Sequence, residues 1–390
     1  MIIIDPPYVS DFLKKTLRDF QFPVLRNADA VRLLNGCNIN FADPDEVLGS
    51  LGNQRDPMIY TSSENSVGWI AEKLHNTNLP DKVNLFKDKT RFRKMLSALH
   101  PRFFFREYQL SELDTIDAQQ LPVPFIIKPS VGFFSLGVHK VNTPAEWPQV
   151  RDRIKKEVDM IRDTYPEQVL DVNKFIVEEN ITGDEFTIDA YYNSEGEPVV
   201  LGMMRHIFAS ESDTSDRLYI TSTAVIEKNL ERFRDFLGEM GAMAGLRNLP
   251  VHVEVRVDES GRIMPIEVNP LRFGGWCTSA ELTHYAFGFN PYELLMNNQR
   301  PHWQQILRER ADDIFSIIIL NNNSGYPAAN IKSFDYDAVL SQLETPLELR
   351  KADVKRFHLF GFIYTRTRKE NFMELEYLLH SDLRDFIKIM

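Results

Sequence analysis

The chain is poor in the features that most often declare a function outright. Its 390 residues hold two cysteines, Cys37 and Cys277, with no CxxC or Cys/His spacing, so neither a disulfide framework nor a zinc site is indicated and a reducing compartment fits best. No dense lysine and arginine cluster occurs and the formal charge is -11, which sets the overall field against a nucleic-acid backbone. No apolar run approaches membrane-spanning length, and the opening Met1-Ile2-Ile3-Ile4-Asp5-Pro6-Pro7 lacks the basic n-region and the apolar length of a signal peptide. A cytoplasmic protein without nucleic-acid or membrane partners is expected. A GxGxxG fingerprint is missing, so a dinucleotide site has no support, and neither internal repeats nor low-complexity tracts are present.

What remains is an ordinary globular composition, 43% hydrophobic, over a length that suits two or three domains. The first part alternates strand and helix patterns. Strands are predicted at Met1 to Ile4, Pro23 to Leu25 and Met58 to Thr61, and helices at Ser10 to Phe20, Asp43 to Leu51 and Val67 to Leu74. Such alternation argues for a small parallel sheet. From Leu85 a basic helix opens across Lys87 to Lys94, and a strand follows at Pro124 to Lys128. Residues 146 to 165 read as a charged helix, Lys174 to Glu179 as a strand, and Thr187 to Leu201 as a hairpin turning at Asn193-Ser194-Glu195-Gly196. A long helix runs from about Glu227 to Gly245. Two apolar strands near the end, Ile314 to Leu320 and Phe357 to Tyr364, are candidates to pair.

Three stretches carry chemistry. The first is Val251 to Asp258 followed by Ile263 to Pro270, with Glu259-Ser260-Gly261 as the turn. Strict alternation puts His252, Glu254, Arg256 and Asp258 on one face, and Glu267 and Asn269 share a face two residues apart. Hard oxygen donors gathered this way suit Mg²⁺, shared between one or two carboxylates and a nucleotide's phosphates. The same pattern also belongs to the solvated face of an ordinary hairpin. The second stretch is Lys128 to Val138, where a lysine at a strand end precedes Gly132, Ser135 and Gly137. Backbone N–H groups and a point charge can meet phosphate oxygens there, and Phe133 and Phe134 supply apolar surface suited to a closing lid. The third is Glu178-Glu179-Asn180-Ile181-Thr182-Gly183-Asp184-Glu185, a strand that ends in acidic residues. It can offer backbone hydrogen bonds to an adenine edge and a carboxylate to ribose.

The order of these pieces resembles the ATP-grasp superfamily of ATP-dependent ligases: Lys89, then Lys128 with its glycine loop, then Val177 to Ile181 with Gly183 and Glu185, then Glu254, Glu267 and Asn269-Pro270. The resemblance covers roughly residues 80 to 290, and its most specific part is the carboxylate pair thirteen residues apart ending in Glu-Val-Asn-Pro. It implies an α/β (α+β ATP-grasp) fold. An α/β domain over 1–84 would precede a central lid subdomain over 85–175 and a C-terminal subdomain over 176–390. It further implies that Lys89 and Lys128 hold the phosphates of ATP and that Gly132 to Gly137 closes over them. Glu178, Glu179 and Ile181 would read adenine, with Glu185 placed for ribose. Glu254, Glu267 and Asn269 would hold Mg²⁺, with Mn²⁺ as an alternative ion. Arg272 falls where such ligases keep an arginine for the reacting carboxylate or acyl phosphate. Arg256 is a second phosphate contact or one half of a sheet salt bridge. Lys87 and Lys94 lie close enough to compete for the role of Lys89.

The activity so implied is ADP-forming ligation. A carboxylate is activated as an acyl phosphate and then attacked by an amine, both small molecules. Lysines, arginine and magnesium offset the repulsion between two anions. A non-amine acceptor or kinase-like transfer is the alternative, and a non-catalytic ATP-binding protein the second. Thr278 with Glu281 reads as a capping box, which predicts a helix from about Ser279 whose free N–H groups face Gly274 and Gly275 beside Arg272. A helix start without a ligand reads the same way. Cys277 is a small buried thiol before it is a nucleophile, and Arg205-His206 either faces the site or is structural. Tyr8 and the Ser62-Ser63-Glu64-Asn65 loop end strands of the first sheet, where open sheets place ligands. A homodimer is the default assembly for an enzyme of this size.

Overall fold

The computed structural model describes residues 1–132, 137–161, 171–210, 213 and 215–390. Phe133, Phe134 and Ser135 therefore lie outside the described residues. The first layer is the expected parallel sheet, in the order Phe41–Ala42, Val24–Leu25, Ile2–Ile3, Tyr60–Thr61. Its helices start where polar caps dictate. Ser10 Oγ accepts the Leu13 N–H at 3.0 Å to open Asp11–Phe20, and Asp43 caps Pro44–Leu51 with proline at the tolerated first position.

A four-stranded antiparallel sheet follows, in the order Phe105–Gln109, Asp171–Glu179, Phe125–Val131, His139–Val141. Its apolar face, with Phe125, Ile127, Phe175 and Val177, packs against Val150, Ile154 and Val158 of the helix Trp147–Ile161. The largest element is an eight-stranded antiparallel sheet. Its order is Ile263–Pro270, Leu249–Val257, Asp184–Tyr192, Pro198–Ile207, Leu218–Thr221, Ile314–Asn321, Leu359–Thr367, Thr345–Lys351. The two apolar C-terminal strands do pair, with Ile318 opposite Ile363. The edge strand Thr345–Lys351, whose polar and apolar residues do not alternate cleanly, escaped the sequence reading. Val251, Val253 and Val255 face inward against Phe233, Leu237 and Met240 of the long helix Thr223–Ala244, which Gly245 ends in the left-handed region at φ 60.

One helix reading needs correction. The basic segment is two helices, Leu79–Lys87 and Lys89–Leu96, broken at Asp88. The Asp88 carboxylate accepts the N–H groups of Thr90 at 2.9 Å and Arg91 at 3.1 Å, so it caps the second helix and turns its first residue, Lys89, inward. Among the described residues no helix is long and apolar enough to cross a membrane.

Candidate functional site

Register in the large sheet assembles the site. Glu267 stands opposite Glu254 and Asn269 opposite His252, and on the other side Glu185, Thr187 and Asp189 stand opposite Arg256, Glu254 and His252. Directly paired residues share a face, so three strands contribute one polar surface. A register shift beside Glu254 marks a bulge, the local device by which a strand re-aims a side chain. Burial raises the Glu254 carboxyl well above the usual range, and the facing Glu267 pushes it further. Asn269 is 3% exposed and its Oδ1 has no hydrogen-bond partner among the described residues. Two mutually repelling carboxylates and an orphaned amide oxygen form a donor set that a hard divalent cation satisfies, so the residues fit Mg²⁺. Among the described residues no cluster of three or more His, Cys, Asp or Glu makes a metal site, and the amide is needed to complete this one.

Both lysines reach the same region. Lys89 is buried, and its ammonium donates to the Gly132 carbonyl at 3.1 Å. Burial lowers its pKa, Lys128 and Lys87 push the same way, and Glu267 opposes them. Lys128 pairs with Glu178. The Glu178 carboxylate also accepts from Arg93 Nε at 2.7 Å. Burial alone would raise Glu178, but Arg93 and Lys128 outweigh it and hold the carboxyl at about 2. Arg93 was not singled out from the sequence. It donates onward to the Pro265 carbonyl at 2.5 Å and lies over the Phe103 ring at 4.9 Å, so it ties the lysine helix, the small sheet and the carboxylate strand together. An arginine on a helix face carries no local signal for that role.

The acidic strand end is already engaged. The N–H groups of Glu179 and Asn180 donate to the carbonyls of Phe104 and Pro124, and the Ile181 carbonyl accepts from Arg256. Arg256 Nε also donates to Glu185 at 3.0 Å, so of the two readings for Arg256 the salt bridge is present. The other Glu185 oxygen meets His206 Nδ1 at 2.8 Å. His206 is therefore internal, stacked on Tyr219 at 4.3 Å, while Arg205 points outward to Asp184. Gly183 takes φ 116, and a Cβ there would meet the Val257 carbonyl at 2.2 Å, which explains glycine at this turn.

Arg272 faces Glu64 from the first layer, with Nη2 2.7 Å from its carboxylate, and Lys87 takes the other Glu64 oxygen. Burial would raise Glu64, but Arg272 and Lys87 hold it at about 2. Lys87 is thus drawn to Glu64 and Lys89 to Gly132. The helix after Arg272 is Thr278–Phe287, within a residue of expectation, but the capping box is not formed. Cys277 stands at the cap with φ 58, Thr278 Oγ1 donates to the Gly275 carbonyl, and Glu281 pairs with Arg350 from the C-terminal edge strand. The Gly274 N–H goes to Ser279 Oγ at 2.7 Å and Asp189 at 3.2 Å, and Asp189 also holds His252 Nδ1 at 2.7 Å. Leu271, Trp276 and Cys277 all adopt positive φ, strain of the kind that clusters at ligand sites.

Residues 121–280 match the model of a family described as an ATP-grasp domain. The chain resembles the crystal structure of an L-amino acid ligase from Bacillus licheniformis over 100% of its own length and 98% of that chain, with a TM-score of 0.70 and 18% identity. It resembles N5-carboxyaminoimidazole ribonucleotide synthetase from Thermotoga maritima over 100% and 98% of the two chains, with a TM-score of 0.61 and 13% identity. A third likeness is to the biotin carboxylase domain dimer of the Hydrogenobacter thermophilus 2-oxoglutarate carboxylase, solved with MgADP, ADP and bicarbonate. It covers 100% of this chain and 90% of that one, with a TM-score of 0.60 and 11% identity. At these identities the likeness is one of fold. No curated protein matches the chain.

Proposed function

We propose that this chain, which carries an ATP-grasp domain in residues 121–280, is an ATP-dependent, ADP-forming ligase that joins a small-molecule carboxylate to an amine. One observation carries the reading. The orphaned Asn269 amide oxygen and the opposed Glu254 and Glu267 carboxylates share a surface with two buried lysines and an arginine. Such a cation-hungry patch beside fixed positive charges suits polyphosphate transfer between anions. One of the solved structures that the chain resembles is named as an L-amino acid ligase.

In this reading Lys89 and Lys128 hold the phosphates of ATP, with Gly132 and Gly137 bordering them. Glu178, Glu179 and Ile181 border the adenine, and Glu185 with its partner Arg256 lies toward the ribose. Glu254, Glu267 and Asn269 would hold Mg²⁺, or Mn²⁺ on the same donors, and the bound ion would offset charge on the phosphates. Arg272 turns from Glu64 to the substrate carboxylate and keeps one oxygen aimed at the γ-phosphorus. That oxygen bonds to phosphorus as the bond to ADP breaks, giving an acyl phosphate. The amine then attacks the acyl carbon, phosphate leaves, and the nitrogen gives up a proton. Domain limits near 84 and 175, a cytoplasmic location and a homodimer belong to the same reading.

The test is incubation with ATP, Mg²⁺ and pairs of amino acids, following ADP, phosphate and product mass. ADP and phosphate released only with both co-substrates, together with a condensed product, is the expected result. A phosphorylated end product would move the chain to a kinase, and binding without turnover to a sensor.

A further inference from the structure

Two cations of the site already share one carboxylate, and it comes from the first layer. Glu64 opens the short helix Glu64–Ser66 just beyond the strand Tyr60–Thr61. The Thr61 N–H donates to the Leu271 carbonyl at 2.7 Å, which fastens the end of that strand to the segment carrying Arg272. Arg272 gives Glu64 Oε1 two donors, Nη2 at 2.7 Å and Nε at 3.2 Å, and Lys87 donates to Oε2. A carboxylate therefore fits between Arg272 and Lys87 with one oxygen for each. Neither cation pairs with a second carboxylate among the described residues, so the trio carries one positive charge in excess. The side chains of Arg272 and Lys87 are 14% and 9% exposed, whereas that of Glu64 is 27% exposed, so Glu64 is the member with a path to solvent.

The same two cations lie against the phosphate end of the site. Lys87 closes the helix Leu79–Lys87, two residues before Lys89, and depresses the Lys89 pKa, while Glu267 and Glu254 both act on Arg272. A carboxylate held by Arg272 and Lys87 thus stands beside the metal donors and a phosphate lysine. Resting on the ligase reading, we propose that Glu64 is a built-in stand-in for the donor acid. The substrate carboxylate takes its place between Arg272 and Lys87, and Lys87 is a second residue of the donor-carboxylate site. The step is an exchange of ion pairs, with no bond made or broken. The same cations hold either anion, and their excess positive charge draws in the second one as Glu64 moves toward solvent. Glu64 keeps both cations paired until an acid arrives, and it lowers the apparent affinity for that acid by competing for its place.

Hydroxylamine lets the donor half be followed alone, because it attacks an acyl phosphate to give a hydroxamate and phosphate without any amine co-substrate. Wild type, Glu64→Gln, Lys87→Met and Lys87→Arg are compared with ATP, Mg²⁺ and the acid that wild type converts fastest from a panel of L-amino acids and simple carboxylic acids. In Glu64→Gln the KM for the acid should fall about tenfold, the scale of one charge-assisted contact, with the KM for ATP unchanged. In Lys87→Met the KM for the acid should rise at least about tenfold, again without change for ATP, and Lys87→Arg should recover most of the loss. An acid KM that rises or stays the same in Glu64→Gln makes Glu64 a fixed support for Arg272 and overturns the proposal. A Lys87→Met defect confined to the KM for ATP gives Lys87 to the phosphates and overturns it as well. Wild type that makes no hydroxamate from any acid of the panel overturns the ligase reading, and acetate then decides for Glu64. Acetate should raise the melting temperature of Glu64→Ala by a few degrees at a concentration that moves neither wild type nor Glu64→Ala/Lys87→Met, because it fills the place between the two cations. Equal shifts in the three proteins refute the proposal. Where Glu64→Ala does not fold, Glu64→Gln replaces it in the same comparison, since a neutral amide yields to acetate more readily than the native carboxylate.

Discussion

Replacing Glu178 by Gln removes the one negative charge shared by Lys128 and Arg93. All three side chains are buried, and the structure permits a magnitude. A carboxyl held at about 2 instead of its ordinary 4.5 contributes roughly 3 kcal/mol at neutral pH, each pKa unit being worth ~1.4 kcal/mol. Breaking a buried ion pair from one side costs about 3–5 kcal/mol, so the two routes agree. The sign follows from the direction of the shift. A depressed carboxyl stabilises the fold fully above its unfolded pKa, and that contribution fades as pH falls from 4.5 toward 2. Urea unfolding followed by tryptophan fluorescence should therefore show Glu178→Gln less stable by about 3 kcal/mol at pH 7 and by only ~1.4 kcal/mol at pH 3. A gap below about 1 kcal/mol at pH 7, or one that does not change with pH, would refute the claim that this carboxylate anchors Lys128.

Three further outcomes follow from the same geometry. Asn269→Leu should leave the melting temperature unchanged or higher, since it removes a buried unpartnered oxygen worth about 1–3 kcal/mol of penalty, yet it should abolish ATP turnover. A calorimetric scan beside an ATPase assay checks both halves, and a variant that keeps turnover would remove Asn269 from the metal set. Gly183→Ala should destabilise by more than about 1 kcal/mol in thermal unfolding, because φ 116 and the Val257 carbonyl leave no room for a Cβ. A neutral effect would show that the turn relaxes. Arg272→Ala should lose hydroxamate formation while ATP still binds in a calorimetric titration, and loss of both together would count against Arg272 as the carboxylate's partner.

The parts of this molecule legible in its sequence are those whose signal is local. Period-two alternation located Glu254, Glu267 and Asn269 on one face, and register then put the two glutamates opposite each other. Helical periodicity placed helices from about Ser10 and Asp43, which the structure shows to be their caps, and apolar runs found the pairing C-terminal strands. Asp88 misled for the opposite reason: in sequence it lies within one basic stretch, and only its side-chain cap reveals two helices and an inward Lys89. Arg93 and Asp189 escaped because each acts across elements, over sequence separations of 85 and 63 residues to Glu178 and His252. The Thr278 capping box failed because the ion pair with Arg350, itself on a strand the pattern did not show, claims the Glu281 side chain that the box requires. Local propensity yields to tertiary partners where a buried charge must be satisfied.

The most direct measurement is isotopic. A co-substrate pair that supports turnover is supplied with ¹⁸O in the donor carboxylate, and the released phosphate is examined by mass. The proposed acyl phosphate route leaves one carboxylate oxygen in every phosphate and makes ADP. Phosphate without ¹⁸O, or AMP in place of ADP, would contradict the account.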